Sequence, residues 1–126
     1  MQDMAELSGQ RIFLVEDDFF IASDTAEILA RAGAEVIGPS GCAEDARAML
    51  AASKPTLAVL DLNLGEGRPR FDLARLVNKR GIPLLIMSGY DREVVPAELA
   101  NAEWLQKPAN PRQILDAARR LCPAVH

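Results

Sequence analysis

The chain has 126 residues, of which 49% are apolar and 25% are charged, and its formal net charge is −4. This length supports one domain with a single core. The acidic balance excludes a general binder of nucleic acid or of membrane surfaces, because such proteins need a basic stripe to attract phosphates.

Short apolar runs alternate along the chain with segments of helical periodicity. The apolar runs predict strands at Arg11–Val15, Glu35–Gly38, Leu57–Asp61, Ile82–Met87 and Glu103–Gln106. The helical segments are Phe19–Ala32, Cys42–Ala52, Phe71–Lys79, Asp91–Ala100 and Pro111–Leu121, the last capped by Asn110. Helical crossovers make successive strands parallel. We therefore predict an α/β fold, a (βα)5 doubly wound five-stranded sheet, with the common strand order 2-1-3-4-5.

The two ends and the fourth helix are the weaker parts of this pattern. Val94, Val95 and Pro96 disfavour a long regular helix. Residues 1–10 are expected to be a loose lead-in, and residues 11–122 to form one domain without an output domain.

Three features of the sequence restrict the chemistry and the compartment. The single histidine is His126, so no internal histidine can serve as base, metal ligand or phosphoryl carrier. Cys42 and Cys122 form no Cys-x-x-Cys pair and are expected to be reduced, packed thiols. The chain opens with no leader pattern and contains no apolar run long enough for a membrane span, so we expect a cytoplasmic protein.

Polar residues follow four of the predicted strands. In an open parallel sheet, ligands bind outside the carboxyl ends of the strands, where the strand order reverses. The first and third strands are neighbours there, and the fourth and fifth follow on one side. The residues brought to this edge are Glu16, Asp17, Asp18, Asp61, Ser88 and Lys107.

This set of residues suits phosphoryl chemistry. Clustered carboxylates raise one another's pKa unless a cation lies among them, and a small set of oxygen ligands favours Mg²⁺. With Mg²⁺ on Asp17 and Asp61, the carboxylate of Asp61 could attack phosphorus. Lys107 would pair with the added charge. The Ser88 hydroxyl could donate to a phosphoryl oxygen, and no general base is required.

These motifs carry a resemblance to a known family. The sequence resembles the receiver domains of two-component response regulators, similar to the chemotaxis regulator and closest to receivers that stand alone. The resemblance covers residues 11–121 and is carried by Phe13-Leu14-Val15-Glu16-Asp17-Asp18, Leu60-Asp61-Leu62-Asn63-Leu64, Met87-Ser88-Gly89-Tyr90 and Gln106-Lys107-Pro108.

The resemblance implies a role for each matching residue. Asp61 would be the phosphoacceptor and Asp17 a direct Mg²⁺ ligand, with Glu16 contributing through water and Asn63 through its backbone carbonyl. Ser88 would be the switch hydroxyl and Lys107 the phosphate-pairing lysine. Trp104 occupies the position of the switch aromatic residue, and the Lys107-Pro108 bond would be cis.

Three residues keep two interpretations each. Asp18 could contribute to the metal site, although an acid at a helix start is commonly just solvated there. Tyr90 could modulate the access of water to the phosphoryl group, or pack on the fourth helix. Trp104 could switch on phosphorylation, or simply be half-buried.

Two functions from different classes are open. The first is a signalling receiver that is not an enzyme on free substrates. A sensor histidine kinase or histidine phosphotransferase would phosphorylate Asp61, and the surface of the fourth helix, fifth strand and last helix would change for a downstream protein or a homodimer. The alternative is a Mg²⁺-dependent phosphohydrolase with an aspartyl-phosphate intermediate. Such enzymes often carry a second acid two residues after the nucleophile, where this chain has Asn63.

Overall fold

The computed structural model describes residues 6–62, 71–90 and 95–123. Within them, the sheet consists of β1 (Arg11–Val15), β2 (Glu35–Ser40), β3 (Leu57–Leu60), β4 (Leu84–Ser88) and β5 (Glu103–Gln106). The described helices are α1 (Phe19–Arg31), α2 (Ala43–Ala51), α3 (Asp72–Lys79) and α4 (Pro111–Leu121), with a 3₁₀ helix at Ala97–Leu99.

All pairings in the sheet are parallel, and the strand order is β2-β1-β3-β4-β5. The predicted fold class and strand order are therefore confirmed. Because this order turns back at β1, the carboxyl ends of β1 and β3 lie side by side. The functional residues that follow these two strands are neighbours for that reason.

Two apolar layers cover the two faces of the sheet. Alternate strand residues point to opposite faces, so Ile12 and Leu14 pack with α1 and α4, whereas Phe13 and Val15 pack with α2 and α3. The central strands are buried along their whole length. This explains why their sequences are continuous apolar runs rather than alternating ones.

The edge strand β2 contains a bulge that a glycine makes possible. Its register with β1 shifts between Phe13 and Val15. Gly38 has φ +111, and a Cβ at this position would lie 2.7 Å from the carbonyl oxygen of Leu14. Only glycine combines this conformation with so close an approach. Past the bulge, Ser40 accepts a hydrogen bond from the Glu16 N–H at 2.8 Å, which fixes the residue after β1.

The predicted fourth helix is wrong over residues 95–100, where the structure has only the 3₁₀ helix. Residues 91–94 of that prediction lie outside the described residues. Pro96 has an extended backbone, with ψ 150. Proline disfavours the helical conformation in the residue before it, and it has no N–H to donate. A regular helix across this position is therefore blocked.

The end of the lead-in is packed rather than loose. Leu7 is 1% exposed within the core layer of α1 and α4. Its N–H donates to Ala32 at 2.8 Å. The Glu6 carboxylate pairs with Arg112 at 2.9 Å and with Arg119 at 3.2 Å, both on α4. A single leucine is too short a signal to have been recognised in the sequence.

The two cysteines differ from the expectation of two packed thiols. Cys42 is exposed at the start of α2, so that part of the expectation is wrong. Cys122 is partly buried, and this burial raises the pKa of its thiol to about 11. Neither cysteine forms a disulfide.

Leu7→Ala is expected to lower the free energy of unfolding by about 2–4 kcal/mol, because it leaves a cavity in a packed layer. Urea denaturation followed by circular dichroism would measure this loss. Leu76→Ala is the control, since Leu76 is 37% exposed on α3 and should cost about 1 kcal/mol or less. Equal losses in the two variants would contradict the anchoring of the lead-in.

Candidate phosphoryl and metal site

Backbone hydrogen bonds extend the sheet by one residue beyond three of its strands. The N–H of Asp61 donates to Val15 at 2.9 Å, and the N–H of Lys107 donates to Ser88 at 2.8 Å. With the bond from Glu16 to Ser40, these contacts fix the backbone of each residue that follows β1, β3 and β5. The side chains at this edge therefore start from rigid positions.

Three carboxylates meet at this edge. Glu16, Asp17 and Asp61 each offer an oxygen within 4.8 Å of the other two. Glu16 and Asp61 are buried, with 5% and 7% of their surface exposed, whereas Asp17 is exposed. Oxygen atoms at this spacing could bracket one hard cation, since opposite ligands of Mg²⁺ lie about 4 Å apart.

Lys107 lies among the carboxylates. Its Nζ is 2.6 Å from Glu16 Oε1 and 3.4 Å from Asp61 Oδ2. Burial lowers the pKa of Lys107, but the hydrogen bond and charge of Glu16, together with the charge of Asp61, outweigh this effect. The resulting pKa lies above the ordinary lysine value, so Lys107 stays protonated and positively charged in the site.

Asp17 shows that one ammonium does not neutralise the cluster. Partial desolvation beside the buried acids and the contacts with Asp61, a hydrogen bond and a like charge, raise the pKa of Asp17, although Lys107 opposes this. A carboxylate with a raised pKa is destabilised in its ionised form. A divalent cation beside Asp17 and Asp61 would remove that penalty, so the donor set fits Mg²⁺.

Asp18 caps α1. Its Oδ1 accepts hydrogen bonds from the N–H of Phe20 at 2.9 Å and of Ile21 at 3.0 Å. This is the geometry of an N-cap, and it agrees with the simpler interpretation of Asp18 as a helix start.

Ser88 and Tyr90 are linked to each other. Ser88 ends β4, is fully buried, and accepts a hydrogen bond from the Tyr90 N–H at 2.9 Å through its Oγ. This bond uses a lone pair of the hydroxyl and leaves its proton available for another acceptor. The Tyr90 side chain is partly exposed.

Trp104 lies on β5, opposite Ile86 of β4. It is partly buried against the layer formed with α2 and α3. Its indole N–H is buried and finds no hydrogen-bond acceptor among the described residues. A buried donor without a partner is unfavourable, so a rearrangement that supplied an acceptor would be stabilised.

Two further expectations concern the backbone. The Lys107-Pro108 bond is cis, as is the Gly38-Pro39 bond, which was not expected. Asn63 lies outside the described residues.

Two features of the site were missed in the sequence. The first is the direct contact between Glu16 and Lys107, for which the only signal is the extra methylene of glutamate over aspartate. The second is the aromatic pair of Phe19 and Phe20 at the start of α1, which are 75% and 77% exposed with ring centres 5.5 Å apart. Both lie outside the apolar face of α1, so the helical periodicity of the apolar residues could have indicated that these two side chains are exposed.

Comparisons with known proteins show what the chain as a whole is similar to. No protein-family model matches the chain. It is 26% identical over 117 residues to the transcriptional regulatory protein PdtaR of Mycobacterium tuberculosis, covering 92% of this chain and 55% of that protein. It is 25% identical to the sensory transduction protein LytT of Bacillus cereus, covering 87% of this chain and 46% of that protein.

A solved structure extends the likeness to the fold. The receiver domain protein (CheY-like) from Methanospirillum hungatei is 27% identical, with a TM-score of 0.78 over 88% of this chain and 91% of that one. The chain is therefore similar in sequence and fold to response-regulator receiver domains, and we call it the receiver below. This likeness supports a role in two-component signalling. The receiver spans about half the length of the curated relatives it matches.

The described part of the receiver contains no helix that is long and apolar enough to cross a membrane.

Millimolar Mg²⁺ is expected to raise the melting temperature of the receiver. At ten times the dissociation constant, binding adds about 1.4 kcal/mol, or roughly 4–6 °C for a domain of this size. Asp17→Asn should abolish this response and raise the melting temperature without Mg²⁺, because it removes a repelled charge. Differential scanning calorimetry would measure both effects.

The control is Asp45→Asn, which removes an exposed acid on α2 and should leave the Mg²⁺ response intact. If Mg²⁺ still raises the melting temperature of Asp17→Asn, the assignment of Asp17 as a ligand is contradicted.

Proposed function

We propose that the receiver is a phosphoryl-accepting switch in which Asp61 is modified by a sensor histidine kinase or a histidine phosphotransferase. The observation that carries this proposal is the meeting of Asp17, Asp61 and Lys107 at one edge of the sheet. An acid for the metal, a nucleophilic carboxylate and a fixed cation are the groups that phosphoryl transfer to a carboxylate requires.

The transfer needs no proton movement on the receiver. One oxygen of the ionised Asp61 carboxylate forms the new O–P bond while the P–N bond to the donor histidine breaks. The electron pair of that bond stays on the histidine nitrogen. Mg²⁺, held by Asp17 and Asp61 with the Asn63 carbonyl and a water-mediated contribution of Glu16, would neutralise charge on the phosphoryl oxygens.

Lys107 and Ser88 would detect the product. An aspartyl phosphate carries a charge of roughly −2, and its oxygens are strong acceptors for an ammonium and a hydroxyl. Lys107 begins the segment between β5 and α4, and Ser88 ends β4. A shift of both toward the phosphoryl group would change the surface formed by the 3₁₀ helix, β5 and α4.

This surface would transmit the signal to a downstream protein or to a second receiver. It carries an ion pair between Arg120 of α4 and Glu103 of β5, 2.8 Å apart. Trp104 lies on the same strand. We propose that its environment changes with the state of Asp61, while Tyr90 modulates the access of water to the phosphoryl group.

Incubation with ³²P-labelled acetyl phosphate and Mg²⁺ is expected to label the protein at Asp61. The label should survive acid and be lost in hydroxylamine, as for an acyl phosphate. Asp61→Asn should reduce it to background, because an amide is a poor nucleophile, whereas Asp45→Asn should label fully. Rapid multiple turnover of acetyl phosphate without trapped label would favour the phosphohydrolase instead.

The fluorescence of Trp104, the only tryptophan, is expected to change when beryllofluoride and Mg²⁺ are added, since its indole N–H can gain an acceptor. The spectrum of Asp61→Asn should stay constant under the same conditions. A wild-type spectrum that does not move, while calorimetry shows beryllofluoride bound, would establish Trp104 as a packing residue.

A further inference from the structure

The ammonium of Lys107 has two acceptors, and it lies closer to the one that is not phosphorylated. The distance from Nζ to Glu16 Oε1 is 2.6 Å, against 3.4 Å to Asp61 Oδ2. Charge-assisted bonds between nitrogen and oxygen are about 2.7–2.9 Å long. The resting lysine is therefore bound mainly to Glu16.

Glu16 is itself held in place. Its second carboxylate oxygen, Oε2, accepts a hydrogen bond from the Asp18 N–H at 3.1 Å. Its own N–H is bonded to Ser40, and the residue is 5% exposed. The carboxylate is thus fixed between the start of α1 and the lysine. Water has little access to replace either partner.

These contacts create a competition once a phosphoryl group arrives at Asp61. The new oxygens would lie on the Asp61 side of the ammonium, so a Lys107 that moves toward them lengthens its bond to Glu16. The bond to Glu16 then opposes binding of the phosphoryl group. The reach of glutamate is important here, because an aspartate at this position would be one methylene shorter.

We propose that Glu16 is a positioning residue that retains Lys107 in the resting state and competes with the phosphoryl group for it. This inference rests on the proposed function, since it concerns the phosphorylated site. This role is separate from the water-mediated contribution of Glu16 to the metal site, because it acts through the lysine.

A double-mutant cycle tests this role. Calorimetry would measure the affinity for beryllofluoride in the wild type, Glu16→Gln, Lys107→Met and the double variant, each at saturating Mg²⁺ as determined by its own titration. Glu16→Gln is expected to bind about tenfold more tightly, the equivalent of one charge-assisted hydrogen bond. In the Lys107→Met background, the same substitution should change the affinity by less than about twofold.

Equal tightening in both backgrounds would overturn the proposal, because Glu16 would then act by direct repulsion of the anion. Glu16→Asp provides a second discrimination. It keeps the negative charge but shortens the side chain, so the proposal expects tighter binding than in the wild type. Wild-type affinity in Glu16→Asp would contradict a role for the reach of glutamate.

Glu6→Gln is the matched control. Glu6 is also a largely buried carboxylate bonded to cationic side chains, but its partners are Arg112 and Arg119 on α4. Its substitution should leave the beryllofluoride affinity unchanged. Circular dichroism and thermal melting would establish that each variant is folded, and Glu16→Asp preserves the test if Glu16→Gln does not fold.

The proposed function and this inference fail in different ways. If the wild type binds no beryllofluoride in the presence of Mg²⁺, both the proposed function and the proposed competition for Lys107 are overturned. If the wild type binds it but the cycle shows no coupling between Glu16 and Lys107, only the competition is overturned.

Discussion

Uncompensated negative charge is the constraint on which the functional edge of this receiver depends. Glu16, Asp17 and Asp61 lie within 4.8 Å of one another, and Lys107 supplies one positive charge. When all are ionised, two negative charges remain. Holding such charges together in a partly buried site is unfavourable. The fold keeps this arrangement because its core layers and strand ladders stabilise it from outside the cluster, which leaves the site poised for a divalent cation.

At this edge, the carboxylates are held in fixed positions and the lysine side chain can move. Asp61 and Glu16 are attached to backbone that continues the strand ladders, so their positions follow from the sheet. Lys107 starts from equally fixed backbone but carries its charge on a long, flexible side chain. The lysine is therefore the group that can change partners without disturbing the sheet. A switch built this way needs only a small movement at its centre.

Much of the fold and of the site could be predicted from the sequence. The buried central strands appear as apolar runs, and the acids and the lysine follow them directly, so the rule for ligand sites in parallel sheets brought these residues together. The contact between Glu16 and Lys107 could not be predicted, because it depends on side-chain reach across two intervening strands. The burial of Leu7 could not be predicted either, and Pro96 indicated a weak fourth helix without indicating the 3₁₀ helix that replaces it. In both places, tertiary packing or a single proline outweighed the local periodicity.

The Gln10 side chain donates a hydrogen bond to the carbonyl of Pro123 at 2.8 Å. This joins the residue before β1 to the segment after α4, at the pole of the domain opposite the three carboxylates. The hydrogen bond therefore holds the entry to the first strand and the exit from the last helix together, on the side of the sheet away from the acidic edge.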